Sequence, residues 1–212
     1  MTGRASQLRV VGIGGSLRPN SYSYLALEHV MALLTRGGCR THIVDLRKMC
    51  LPFCDGDGPE PGAAHPGVSE MRTAVSRAHA IVLVTPEYHG SVSGVLKNVL
   101  DLLASEHIKG KVAGLVSVLG GPASSNALNE LSRIMRSCHA WVMPQYIAIG
   151  RAHTVFLDGK IRDSELQRKF EDFAGNLVLS ATRICDLNEA SGGTPAAFTS
   201  EDWYRAEARA VA

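Results

Sequence analysis

A chain of 212 residues, 45% apolar and 20% charged, can bury one large core and has the composition of a globular protein rather than a disordered or fibrous one. A formal net charge of +2 gives no strong basic field, which argues against nucleic acid or an anionic membrane as partner. The opening stretch MTGRASQLRVVGIGG lacks a signal-peptide core, and no apolar run approaches the roughly 20 residues of a membrane span, so a cytoplasmic protein without membrane insertion is expected. The cysteines (Cys39, Cys50, Cys54, Cys138 and Cys185) are odd in number and scattered, which argues against a disulfide framework. Cys50 and Cys54 form the one close pair. They lack a second pair or a histidine partner, so no metal site is expected.

The first element is LRVVGIGGS, an apolar run closed by glycines that predicts a buried strand. YSYLALEHVMALLTRGG follows as a helix, with Leu25, Leu27, Val30, Met31 and Leu34 at helical spacing and Gly37 and Gly38 as its stop. THIVDL reads as a second strand, and PFCDGDGPEPGAAHPG as a long loop at a site rim or flexible edge. VSEMRTAVSRA predicts a short helix, AIVLVT a third strand buried on both faces, and VSGVLKNVLDLLA another helix. KVAGLVSVLGG is a fourth strand, SSNALNELSRIMRSCHAWV a helix, and WVMPQYIAIG a fifth, interrupted strand. DSELQRKFEDFAGNLVLSATRICDL closes the domain, with Leu166, Phe170, Phe173, Leu177 and Ile184 on one stripe. Residues 1–187 are read as one domain. Residues 188–212 are a C-terminal extension that ends in a short amphipathic piece, where Trp203 and Tyr204 could dock on this subunit or a neighbour.

Five alternations of strand and helix favour a parallel sheet covered on both faces, and right-handed crossovers make it a doubly wound α/β fold. Ligands in such sheets bind beyond the carboxyl ends of the strands. The first strand end, GIGGSLRPNSYS, is not a dinucleotide G-x-G-x-x-G turn, because Arg18 and Pro19 occupy the space that turn needs. It sets Ser16, Arg18, Asn20, Ser21 and Ser23 around a helix start, which suits an anion such as a phosphate. Plain helix capping by Asn20 or Ser21 is the alternative.

At the third strand end, Pro86 is expected to stop the strand and turn the chain outward. Gly90 would admit a ligand close to the backbone, and Glu87, Tyr88 and His89 would offer N–H groups and one aromatic wall to a flat heteroaromatic ring. Capping and packing alone are the alternative for this segment. Lys97 and Asn98 are read as serving the helix or an interface. At the fourth end, Ser117, Gly120 and Gly121 are small enough for the same close approach. A phosphate clamp with two loops facing a planar ring describes a mononucleotide site.

GGSLRPNSYS and TPEYHGSVSGVLKNVLD together resemble the NADPH-dependent FMN reductase family of the flavodoxin-like superfamily, which includes quinone, azo and chromate reductases. The resemblance spans roughly residues 8–187. It implies a flavodoxin-like five-stranded parallel sheet in the order 2-1-3-4-5, with FMN at the ends of the first, third and fourth strands. By position, Ser16, Arg18, Ser21 and Ser23 would hold the FMN phosphate. Pro86, Glu87, Tyr88, His89 and Gly90 would border the isoalloxazine, and Ser117, Gly120 and Gly121 would close the site. His89 stands where many relatives have asparagine, and Ser23 where a larger amide is common.

The implied activity passes hydride from NADPH or NADH to FMN and on to a small-molecule acceptor such as a quinone, free flavin or xenobiotic. The flavin would carry the chemistry, so no side chain is assigned a catalytic role. A homodimer or homotetramer is implied by analogy. An FMN electron carrier without NAD(P)H oxidation, and a flavin-free scaffold on the same fold, are the rival readings.

Overall fold

The computed structural model describes residues 8–56 and 65–190 of the chain. Its first half runs β1 (Arg9–Gly14), α1 (Tyr22–Arg36), β2 (Arg40–Val44), α2 (Pro66–Arg77), β3 (Ala80–Tyr88), β4 (Ser91–Val92) and α3 (Gly94–Asp101). The second half runs α4 (Ser105–Ile108), β5 (Val112–Val118), α5 (Asn126–Ser137), β6 (Trp141–Val142) and β7 (Ile147–Ile149). It ends with α6 (Ala152–Val155), β8 (Phe156–Leu157), β9 (Lys160–Ile161) and α7 (Ser164–Ala190). The tip of the Pro/Gly-rich loop and the expected Trp203–Tyr204 piece lie outside the described residues.

The main sheet has the order β2-β1-β3-β5-β6, with β4 folded back on β3 and β7 also paired to β5. β6 and β7 pair with successive stretches of β5, Val112–Ala113 and Val116–Val118, so they are two pieces of one strand interrupted around Pro144. Counted that way, the main-sheet order is the doubly wound 2-1-3-4-5 expected from the resemblance. The chain leaves β1 toward β2 and returns past it to β3. The strand order therefore reverses between β1 and β3, which is where open α/β sheets bind ligands.

Burial explains which strands lie inside. All seven residues of β5 and the first seven of β3 are buried, whereas β2 at the edge alternates between exposed and half-buried until Val44. Side chains then divide by parity. Val82, Val84, Val112 and Val116 join α1 and α7 in one core, while Ile81, Leu83, Ala113 and Leu115 join α2, α3 and α5 in the other. The stripe on α7 packs as expected, with Phe170, Phe173 and Leu177 fully buried. Each such side chain contributes about 1.5–3 kcal/mol. Gly114 lets α7 come this close, because a Cβ there would lie 2.6 Å from Phe173 Cζ.

Pro86 does not end β3. The strand continues to Tyr88, with Pro86 paired to Val118 of β5. The Val84 carbonyl faces the β1 side, where it accepts from the Gly15 N–H at 2.7 Å. Alternation points the Pro86 nitrogen to that same side, beyond the last residue of β1, so its missing N–H costs the ladder nothing.

Among the described residues, one buried side-chain nitrogen in the α1–α7 core lacks a hydrogen-bond partner. His29 Nε2 has no hydrogen-bond partner, and the ring meets Phe170 edge-on at 5.0 Å between centroids. Burial, then the Arg36 charge, hold its pKa below the ordinary histidine value of 6.5. The folded state thus favours the neutral ring, and this stabilising contribution is present above pH 6.5 and lost as pH falls through the folded pKa. Denaturant midpoints measured at and below pH 6.5 are expected to fall with pH, and His29→Leu is expected to flatten that decline.

Candidate functional site

The ends of β1, β3 and β5 meet in one place because the three strands are neighbours in the sheet, and backbone bonds hold the loops after β1 and β5 to adjoining strands. After β1, the Gly15 N–H donates to the Val84 carbonyl of β3. After β5, the Leu119 N–H donates to the Ile149 carbonyl at 2.8 Å, and the Arg151 N–H donates to the Gly121 carbonyl at 2.7 Å, pinning that loop to the end of β7. Asn20, His89 and Arg151, three of the non-glycine residues with positive φ (55°, 51° and 46°), all lie in these strand-end turns. Such backbones cost energy and persist where surrounding contacts hold them, often at functional sites.

The first loop carries the expected serines. Ser16, Ser21 and Ser23 are only 5%, 5% and 2% exposed, while Arg18 is exposed. Ser21 occupies the N-cap position of α1, yet its side chain makes no capping hydrogen bond, and no acidic residue stands in the first turn. Ser16 Oγ accepts weakly from the Arg18 N–H at 3.4 Å, whereas the hydroxyls of Ser21 and Ser23 have no partner among the described residues. The positive end of α1 and the accessible hydroxyls of two nearly buried serines are thus left for an outside acceptor. The capping alternative fails here, because Ser21 does not cap.

The start of α5 shows the contrast. There Glu87 Oε2 accepts from the Ala127 N–H at 3.1 Å, so a carboxylate of this chain already neutralises that helix end. The Glu87 side chain thus serves α5, which leaves its backbone for the role expected of it beside a ring. The nearby Arg47 is committed as well. It forms two bonds to Asp45 at 2.8 and 2.9 Å and lies 3.4 Å above the Tyr24 ring, holding the Asp45 carboxyl down at about 2. Arg18 remains the cation of this loop without an ion pair among the described residues.

The second loop is a hairpin rather than an open turn. Tyr88 pairs with Ser91 and Glu87 with Val92, and His89 and Gly90 form the two-residue turn with φ of 51° and 75°. Gly90 is needed for that conformation, which refines the expectation of close ligand approach. Tyr88, 48% exposed at the tip, is free to act as a wall. At the end of β5, Ser117 is fully buried and directs its hydroxyl to the Ser124 carbonyl at 3.4 Å, so it supports the third loop. A Cβ on Gly120 or Gly121 would meet nothing within 4 Å, and neither has positive φ. Nothing inside the protein requires glycine at these positions, and the open space beside them suits a ligand. The residues present therefore fit a mononucleotide with an anionic end at α1 and a planar end between the second and third loops.

Sequence reasoning missed Ser93 and Thr85, although Ser93 before GVLK is a recognisable N-cap signal. Ser93 Oγ caps α3 by accepting from the Leu96 N–H at 3.2 Å, and donates to the Gly15 carbonyl at 2.6 Å. Thr85 Oγ1 accepts from the Ser93 N–H at 3.2 Å. Asn98 holds the loop before α2, with bonds of 2.9 Å to the Cys54 N–H and the Pro52 carbonyl, and Lys97 pairs with Asp101, so both serve structure as expected. Ser93→Ala removes a cap and strands a buried carbonyl, for a combined loss of about 2–3 kcal/mol. Chemical denaturation should show that loss, and ligand affinity at the first loop should fall with it because Gly15 is released.

Comparison with known proteins gives the site its context. Residues 8–154 match the family described as NADPH-dependent FMN reductase. The chain is 32% identical over 175 residues to an FMN-dependent NADPH-azoreductase of Staphylococcus haemolyticus, covering 78% of this chain and 91% of that protein. It is 29% identical over 192 residues to the NADPH-dependent FMN reductase ArsH of Shigella flexneri, covering 88% of this chain and 73% of that protein. Its fold matches that of the flavoenzyme NAD(P)H:(acceptor) oxidoreductase of Paracoccus denitrificans with a TM-score of 0.66 at 20% identity, over 83% of this chain and 98% of that one. The chain belongs to the NADPH-dependent FMN reductase family and is an NAD(P)H-dependent flavin oxidoreductase on a flavodoxin-like fold.

Proposed function

We propose that FMN binds across the ends of β1, β3 and β5, with its phosphate at the start of α1 and its ring between the hairpin and the Gly120–Gly121 loop. The observation that carries this reading is the helix end left without an acid, beside nearly buried serines whose hydroxyls lack protein partners. Ser16, Ser21 and Ser23 hold the phosphate, and Arg18 neutralises it from the solvent side. The backbone of residues 86–90 and of Gly120–Gly121 borders the ring, and Tyr88 shapes the face open to solvent. Bound FMN would supply the reversible two-electron chemistry that links NADPH or NADH to an acceptor. The chain itself binds, orients and shields, and no side chain is assigned a bond-making step.

The acceptor is a flat, conjugated organic molecule such as an azo compound or quinone. Two features support this class: the azoreductase name of the Staphylococcus relative, and an aromatic side chain standing half exposed at the hairpin tip. Such a side chain offers a π-face for stacking.

An anaerobic absorbance spectrum with added FMN, before and after NADPH, tests the reading. Bound flavin bands that bleach on NADPH addition are expected. Bound flavin that stays oxidised would instead indicate an electron carrier. Ser21→Asp sets a negative charge against the phosphate and should weaken FMN binding by about tenfold or more, which corresponds to at least about 1.4 kcal/mol. Unchanged affinity in that variant removes Ser21 from the phosphate site.

A further inference from the structure

At the opposite end of the sheet, a cavity of about 520 Å³ opens between the first residues of β1 and β2 and helix α2. Val11 and Ala78 contribute to its apolar lining, and Arg9, Arg40 and Arg77 line it together with one carboxylate, Glu70. The parallel register sets Arg9 directly beside Arg40. Like charges side by side on neighbouring strands destabilise a sheet. Among the described residues no carboxylate forms an ion pair with any of these three arginines. Edge strands carry charge to discourage pairing with other chains, but that accounts for Arg40 on β2 alone. Arg9 lies on an inner strand and Arg77 on a helix. The surplus of positive charge around an apolar lining calls for an acidic, partly apolar occupant.

The chain supplies one. Beyond α7 the sequence reads SGGTPAAFTSEDWYRAEARAVA, in which Glu201 and Asp202 stand directly before Trp203 and Tyr204. Helix α7 delivers this segment to the right end of the molecule. Cys185, near its last turn, packs against the core that includes Leu8, Cys39 and Val112 at the amino ends of the strands, and with Arg9 it acts on the charge of Lys111. Lys111 Nζ in turn donates to the carbonyls of Ser76 and Ala78 at 3.0 and 2.6 Å, and Ala78 lines the cavity. The thirteen residues from 191 to 203 can span up to about 43 Å.

We propose that Ser200–Tyr204 of the C-terminal extension docks in this cavity of its own chain, with Trp203 on the apolar lining and Glu201 and Asp202 facing Arg40 and Arg77. Docking covers the base of the sheet and neutralises its rim. The assignment does not depend on the flavin reading, because the cavity lies at the other end of the strands.

Trp141 and Trp203 are the two tryptophans, so Trp141→Phe makes Trp203 the sole indole reporter in the full-length protein. Its emission is expected to be blue-shifted, and its quenching by acrylamide several-fold weaker than in denaturant. Adding Arg40→Glu and Arg77→Glu should restore denaturant-like quenching while the circular dichroism spectrum is unchanged. Glu201→Lys with Asp202→Lys should do the same from the other side, and the combined charge swap should recover the shielding. An indole as quenchable as in denaturant, or one shielded but indifferent to all four charge reversals, overturns the proposal. Shielding that disappears on dilution also overturns it, since the cavity would then hold the segment of a second copy.

Discussion

Ser93 stands where three elements must stay in register at the strand ends. Its hydroxyl accepts the Leu96 N–H in the first turn of α3 and donates to the carbonyl of Gly15, while its own N–H is held by Thr85 on β3. A single buried serine therefore fixes the first loop, the hairpin strand and the helix after it relative to one another. Gly15 belongs to the same node, because a Cβ there would lie 2.7 Å from Ser93 Oγ. The site is preorganised by this contact rather than by large side chains, which suits a chain whose cofactor carries the reactive atoms.

Electrostatics then decides which helix end is left for a ligand. α1 and α5 both begin beyond the carboxyl ends of the sheet, and both present unpaired N–H groups there. At α5 the Glu87 carboxylate fills that role; at α1 the chain supplies neither a cap nor an acid. Arg47, which could have competed for an anion, is bound to Asp45 and stacked on Tyr24. The phosphate position proposed above thus follows from where this chain's own charges are already spent.

The main strand order, the interrupted fifth strand and the stripe on α7 were legible because burial on two faces writes continuous apolar runs, while a helix writes a period of 3.6. The serines of the first loop were legible for a similar reason: polar residues clustered after a glycine-closed strand have few structural uses. The hairpin at Tyr88–Ser91 was not. Pro86 looks like a stop in one dimension, and its tolerance depends on β1 ending one position too early to need its N–H. The bond from Glu87 to α5 was not legible for a related reason, since the helix that its carboxylate caps begins almost forty residues later in the chain. Contacts of that separation leave no local pattern.

Backbone strain shows how the two ends of the sheet divide their tasks. Asn20, His89 and Arg151 hold left-handed conformations in the loops after β1, β3 and β7, and each loop is braced by bonds to an adjoining strand or loop. Of the other two such residues, His139 lies in the turn that leads into β6 and Asp158 in the small β8–β9 hairpin. Strain at the carboxyl ends is held by hydrogen bonds, which fix loop shape to within the tolerance a flat ring requires. At the amino ends the unusual feature is charge instead, with Arg9 and Arg40 in register on adjacent strands. A strained loop specifies shape and a cluster of like charges specifies sign. With FMN and the C-terminal segment placed as proposed, the carboxyl end selects by fit and the basal end by the acidity of what approaches it.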